Sequence, residues 1–265
     1  MKKAGMVAFL ALAGCGMIGR GGGEKPQAAE RPQQELTPIR QIDTWLNGMH
    51  VAKDDADHVS EHQHYCDTVN EDLIQCALYD RTGPRAHLVG VEYVLSEAAF
   101  ERLPEAEREY WHPHNYEVLS GMLVAPGVPK EQEDALMRRM LNSYGKTWHT
   151  WPMAQRGGGT AELPTGEPEL LWSFNADGEA PTALTEARAR RLELNMEDIR
   201  ERRQDLVKDA NPQYGVNAMA DEFPNRKPIK GVQEVYLATR QQPCGTKGVG
   251  LGGGGGGPPP QRPPS

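Results

Sequence analysis

Leu73-Ile74-Gln75-Cys76-Ala77-Leu78-Tyr79, then Asp80-Arg81-Thr82-Gly83-Pro84, then His87-Leu88-Val89-Gly90-Val91-Glu92-Tyr93-Val94-Leu95, is the stretch that decides the fold. Two runs rich in β-branched, aliphatic and aromatic residues flank a Gly-Pro turn, which predicts a β-hairpin. Val89, Val91, Tyr93 and Leu95 alternate along the second run and are expected on one face, with Gly90 and Glu92 on the other. A carboxylate on that second face is either solvated or aimed at a site.

Working toward the C-terminus, Ser96 is a helix cap for a short turn through Phe100, and Pro104 opens another through Glu109. The chain then reaches Trp111-His112-Pro113-His114-Asn115-Tyr116-Glu117-Val118. In extended backbone His112 and His114 project side by side, whereas Glu117, three positions on, needs a twist or bulge to join them. A strand is expected over 116–124, broken by Pro126-Gly127-Val128-Pro129. A helix follows over 131–144, with Leu136, Met137, Met140 and Leu141 inward and Gly145 as its stop. Alternation in Lys146-Thr147-Trp148-His149-Thr150-Trp151 puts His149 within reach of the paired histidines from a neighbouring strand. Gly157-Gly158-Gly159 has no Lys-Ser or Lys-Thr after it, so it is not a nucleotide loop. Leu170 to Phe174 reads as a strand with Asp177-Gly178 as its turn, 185–207 as one mixed-charge helix, and 231–239 as a last strand.

Toward the N-terminus, Thr37-Pro38 starts a helix whose stripe is Ile39, Ile42, Trp45, Leu46 and Met49, with His50 beside it as a packed or surface residue. The segment 54–66 reads as a polar loop carrying His58, His62 and His64. Strands and helices alternate without a βαβ rhythm. The expected fold is therefore α+β, one domain with a mixed or antiparallel sheet and packed helices, flanked by disordered termini.

Lys2-Lys3 followed by the apolar run Ala4 to Ala13 has the form of a secretion signal. Ten residues rise only about 15 Å as a helix, too little to span a bilayer core of roughly 30 Å. Leu12-Ala13-Gly14-Cys15 resembles the bacterial lipoprotein signal, which implies cleavage before Cys15 and acylation of its thiol. Residues 1–14 are then the signal, 15–36 a Gly/Pro-containing tether, 37–240 the domain and 241–265 a Gly/Pro-rich tail. Gly16 rather than an acidic residue follows the cysteine, which implies an outer-membrane anchor facing the periplasm. The expected partner is a membrane, reached through Cys15.

A formal net charge of −8 and a pI of about 5.5 give no basic surplus to displace phosphate counterions, so no nucleic-acid partner is expected. Besides Cys15, the chain carries Cys66, Cys76 and Cys244. A Cys66–Cys76 bridge and two buried free thiols are both compatible with the spacing.

The motif 111–118 resembles the oil-body-associated protein family, plant proteins named from seed lipid droplets with bacterial members of unknown function. The resemblance runs from about Ile39 to Leu206. It includes His64-Tyr65-Cys66, Asn70-Glu71-Asp72, Leu88-Val89-Gly90-Val91-Glu92-Tyr93 and Tyr144-Gly145-Lys146-Thr147-Trp148-His149. The family pattern implies adjacent histidines before Tyr65, where this chain has Gln63-His64 and its other histidine at His62. His64 is therefore carried forward as a candidate and His62 is not. The resemblance implies a lipid setting but no catalytic residue or cofactor.

All eight histidines lie between His50 and His149. His64, His112, His114, His149 and Glu117 form a candidate ligand set for zinc or another divalent transition metal, the alternative being a hydrogen-bonded polar cluster. The leading expectation is a lipid-anchored envelope protein with a non-catalytic binding or membrane- and lipid-associated role. The alternatives are a metal-dependent enzyme with Glu92 or Glu71 as base, or a metal carrier.

Overall fold

The computed structural model describes residues 35–151 and 163–235. Cys15, Cys244, the signal, the tail and Gly157–Gly159 lie outside them. The expected hairpin is present as β3 (Leu73–Tyr79) and β4 (Leu88–Leu95), with Leu73 opposite Leu95. Gly83 lies between them at φ 96°. The strands on either side extend this pair into a closed barrel. β1 (Thr44–Ala52), β2 (Asp55–Thr68), β3, β4, β6 (Tyr144–His149) and β7 (Glu169–Ser173) are joined in the order β4-β3-β2-β1-β7-β6, and β6 pairs back onto β4. All these pairings are antiparallel. The two-residue β5 (His112–Pro113) lies on the other side of the start of β6. The expected single domain with an antiparallel sheet is present, but the sheet closes into a six-stranded barrel with only a few helices, more β-rich than an α+β fold.

Several expectations are corrected here, and for one main reason. The helix expected over 37–49 is only α1 (Thr37–Arg40), and Thr44 to Ala52 is a strand. Seven consecutive buried residues, Leu46 to Ala52, show that this strand is covered on both faces, so its apolar pattern does not alternate. The polar loop expected over 54–66 is the fourteen-residue strand β2. Polar side chains there point into the barrel, contrary to the usual apolar-in rule. In β4 the inward face is Gly90, Glu92 and Val94, while Tyr93 is exposed. Cys66 and Cys76 face each other across β2 and β3 and are joined as a disulfide.

Ser96 does cap α2 (Glu97–Glu101), accepting a hydrogen bond from the Ala99 N–H, and α3 (Glu105–Arg108) follows Pro104. The strand expected over 116–124 is instead the helix α4 (Asn115–Ser120), since a short apolar run does not distinguish buried helix from strand. α5 (Lys130–Met140) forms as expected with Met137 and Met140 buried, but it ends before Gly145, which lies inside β6. The single helix expected over 185–207 is α6 (Thr182–Arg191), α7 (Met196–Arg202) and a 3-10 turn (Arg203–Asp209). The break falls at Glu193, at φ 53°, and Asn195 caps the restart. Of the last expected strand, the described part holds only a bridge at Glu234. None of the described helices is long and apolar enough to cross a membrane.

One apolar core joins strand residues such as Met49, Val51 and Trp172 to Leu119 of α4, Met137 of α5 and Leu206 of the 3-10 turn. Two arginines, Arg188 of α6 and Arg203, are completely buried within this packing. Arg188 donates to the carbonyls of Gly121, Met122 and Asn47, and Arg203 to those of Val118 and Leu123 and to Glu133. Burial lowers both guanidinium groups to about 10, so they remain charged at neutral pH. A buried charge is tolerated when it is hydrogen-bonded, and these bonds hold the backbone around the end of α4.

Candidate metal centre

Residues paired across antiparallel strands share a face, so the register lists what fills the barrel. His50 lies opposite Ser60 on one side and Ser173 on the other, Gly48 opposite His62, and Leu46 opposite His64. Cys76 faces Glu92, which faces Thr147, and Gly90 faces His149. His112 of β5 lies opposite Gly145. Imidazoles, hydroxyls and a carboxylate therefore occupy an interior that other small barrels fill with aliphatic side chains.

α4 completes the set. His114 precedes it with φ −104° and ψ −5°, and Glu117 lies three residues on, so one helical turn puts both side chains on one side without any bulge. Gly121, at φ 80°, ends the helix, and the Leu123 N–H returns to the Glu117 carbonyl at 2.9 Å. The arginine bonds described above fix this turn and with it the position of Glu117.

Six side chains converge: His50, His64, Glu92, His112, His114 and Glu117, none more than 4% exposed. Glu92 Oε1 lies 3.6 Å from His112 Nε2 and 3.4 Å from His114 Nε2. Glu92 Oε2 is 2.9 Å from His64 Nε2, which is out of line for a hydrogen bond. Glu117 Oε1 is 3.4 Å from His50 Nε2, and Oε2 is 3.6 Å from His114 Nε2. Separations of 3.4–3.6 Å exceed the roughly 2.7–3.2 Å of a hydrogen bond. They are close to the roughly 3.0–3.5 Å between two ligands that each sit about 2.1 Å from one ion. Donor atoms of His50, Glu92 and His112 lie within 4.8 Å of one another, as do those of His112, His114 and Glu117.

Gly145 makes the convergence visible. A Cβ on this residue would lie 2.4 Å from Glu92 Oε1, 2.5 Å from His112 Nε2 and 2.6 Å from His114 Nε2. Three donors thus surround space that any other residue at this position would fill. His64 Nε2, His112 Nε2 and Glu117 Oε1 are buried without a hydrogen-bond partner, which a purely hydrogen-bonded cluster would not leave.

Protonation suits ligation. Ser143 Oγ donates to the Met140 carbonyl at 2.7 Å, so its oxygen accepts from His114 Nδ1, also at 2.7 Å. That orients the ring so that His114 Nε2 faces the carboxylates. Burial pushes the His50 imidazole down to about 3, and burial together with neighbouring imidazoles holds His62 and His112 well below the ordinary value. These rings are neutral at pH 7 and present lone pairs. Burial alone would raise Glu92, but the His114 and His64 imidazoles outweigh it and hold the carboxyl well below its usual range. Glu117 goes the other way, raised by burial and by the charge of Glu92. Without a cation it therefore carries a proton, which a divalent ion would replace.

Of the candidates named from sequence, His64, His112, His114, Glu117 and Glu92 meet at this point. His149 is adjacent rather than in the cluster: its Nε2 lies 3.0 Å from His62 Nε2, and His62 Nδ1 lies 3.4 Å from His50 Nδ1. Glu71 sits exposed in the β2–β3 turn and is not in the centre. His50 and His62, set aside in the sequence, are respectively in the cluster and directly behind it. The signal for both was present in the strand repeat His62-x-His64 and in a hairpin register that brings His50 beside it.

A family model described as protein of unknown function (DUF1264) matches residues 36–207, a span that holds all six converging side chains. Oil body-associated protein 1A of Zea mays is 34% identical over 188 residues, which cover 71% of this chain and 76% of that protein. Oil body-associated protein 1B of Arabidopsis thaliana is 31% identical over 188 residues, 71% of this chain and 75% of that protein. Oil body-associated protein 2B of Arabidopsis thaliana is 38% identical over a shorter 140 residues, 53% and 55% of the two chains. No solved structure matches the chain significantly. On this family model and these relatives, the chain belongs to the oil-body-associated protein family.

Proposed function

We propose that this chain is a metal-binding protein that encloses a divalent transition-metal ion in its barrel, in a non-catalytic role. The convergence of Glu92, His112 and His114 on the space beside Gly145 carries this reading. Mixed imidazole and carboxylate donors suit zinc, iron or manganese. Burial of every donor supports a closed centre over an enzyme site, because a catalytic ion keeps a position open to substrate. The full chain purified in detergent is expected to carry metal by elemental analysis, and a His112→Ala/His114→Ala double variant, folded by circular dichroism, to carry measurably less. Equal, negligible metal in both proteins would overturn the proposal.

The proposed setting is a membrane surface of the cell envelope, the outer membrane facing the periplasm, reached through acyl chains on Cys15. The Cys66–Cys76 bridge supports an oxidising compartment, and the relatives named for oil bodies support a lipid boundary. Two or three acyl chains anchor stably at about 0.8 kcal/mol per buried methylene. A Cys15→Ser variant is expected to move from the membrane to the soluble fraction. If it sediments with membranes as fully as the parent, the anchor is wrong.

A further inference from the structure

The converging side chains supply more donors than one closed ion uses, and they face two places. The first is the space beside Gly145, bounded by Glu92 Oε1, His112 Nε2 and His114 Nε2. The second is a cavity of about 10 Å³ lined by His50, His64, Glu92, His114 and Glu117, with neither His112 nor Gly145 on its wall. That volume is at the lower limit for a single water, so it suits a bare ion better than an organic ligand.

Both carboxylates straddle the two places. Glu92 turns Oε1 toward His112 and His114 and Oε2 toward His64. Glu117 turns Oε2 toward His114 and Oε1 toward His50. Assigned by the carboxylate oxygen each ring faces, the donors form two sets of four, each with two imidazole nitrogens and one oxygen from each carboxylate, although a donor of His50 also lies within 4.8 Å of donors of Glu92 and His112. His112, His114, Glu92 Oε1 and Glu117 Oε2 form one set; His50, His64, Glu92 Oε2 and Glu117 Oε1 form the other. The His114 ring, which faces these sets, is oriented from behind by Ser143.

We infer that the centre is dinuclear, with Glu92 and Glu117 bridging two divalent transition-metal ions that each take two histidines. This rests on the metal-binding reading above and extends it to stoichiometry and ligand assignment. Four positive charges against two carboxylates leave a surplus that a small anion from solvent would offset.

The test uses the full chain in detergent, dialysed against Mn²⁺ or Co²⁺ alone, with metal counted by elemental analysis and spin coupling read by electron paramagnetic resonance. Two equivalents per chain with coupled spins are expected. A His50→Ala/His64→Ala variant is expected to keep one equivalent and lose the coupling. One equivalent in the parent, or two without coupling, overturns the dinuclear assignment and leaves the metal-binding proposal intact; no metal at all removes both. Should the variant fail to fold, the parent's stoichiometry and coupling still decide.

Discussion

Gly145→Ala is expected to empty the metal position beside it while the surrounding strands stay paired. Gly145 is not among the residues with positive φ, so its backbone accepts a side chain and the effect is confined to what the new methyl meets. It meets Glu92 Oε1, His112 Nε2 and His114 Nε2 at 2.4–2.6 Å. Ordinary non-bonded contact lies near 3.5 Å, so each donor must retreat by roughly 1 Å. Coordination tolerates about 0.2 Å, so the ion loses three ligands at once. Affinity is expected to fall by at least about a hundredfold, as misplaced ligands do more harm than lost supporting bonds. Overpacking should cost the fold only about 1–3 kcal/mol. Equilibrium dialysis beside a thermal melt reads both; a variant that binds metal as the parent does would show that these three atoms hold no ion.

The metal-free protein is expected to unfold steeply between pH 6 and pH 4. Burial depresses His50 to about 3 and His149 to about 4, and holds His62 and His112 well below the ordinary value. In the unfolded chain all four rings titrate near 6.5. Below that pH the unfolded state therefore binds up to four more protons than the folded state, and stability present at neutral pH is lost as pH falls. Glu117 opposes this, since its raised carboxyl keeps a proton in the fold that the unfolded chain releases above about 4.5. The net difference near pH 5.5 is about three protons, or about 4 kcal/mol per pH unit. Against a typical stability of roughly 5–15 kcal/mol, one to two units of acidification should suffice. Tryptophan fluorescence and circular dichroism followed from pH 7 to pH 4, with chelator and with saturating metal, give the measurement. The loaded protein is expected to persist to lower pH, because protons and metal compete for the same lone pairs. A chelated protein indifferent to pH down to 5 would mean that the interior is wetter than the fold implies.

The hairpin β3–β4 was legible because an apolar run, a Gly-Pro turn and a second apolar run are local signals. Ser96 and Pro104 were legible for the same reason, as each acts on the residues next to it. β1 and β2 were not. Their inward faces carry His50, His62 and His64, and a strand that buries polar side chains looks like a loop when only apolar alternation is counted. α4 was missed because Tyr116, Val118 and Leu119 are buried whichever way the backbone turns. Much of the site could be read from the crowding of histidines around 112–114. His50 joins them through the β1–β2 hairpin, whose register sets it beside His62-x-His64, but the apolar stripe over 39–49 reads as a helix and hides that pairing. Glu71 was lost for the converse reason: a carboxylate inside a matched motif belonged to an exposed turn.

Closure of β6 onto β4 bears on which metal the protein would carry. An ion walled in by paired strands leaves only when the strands separate, so exchange would run at the pace of barrel opening rather than of ligand dissociation. Copper heads the equilibrium preference of nitrogen and oxygen donors, yet a walled-in ion is not at equilibrium. The occupant would be decided by supply at the moment the last strand zips shut, and the finished molecule would preserve a record of the compartment in which it folded.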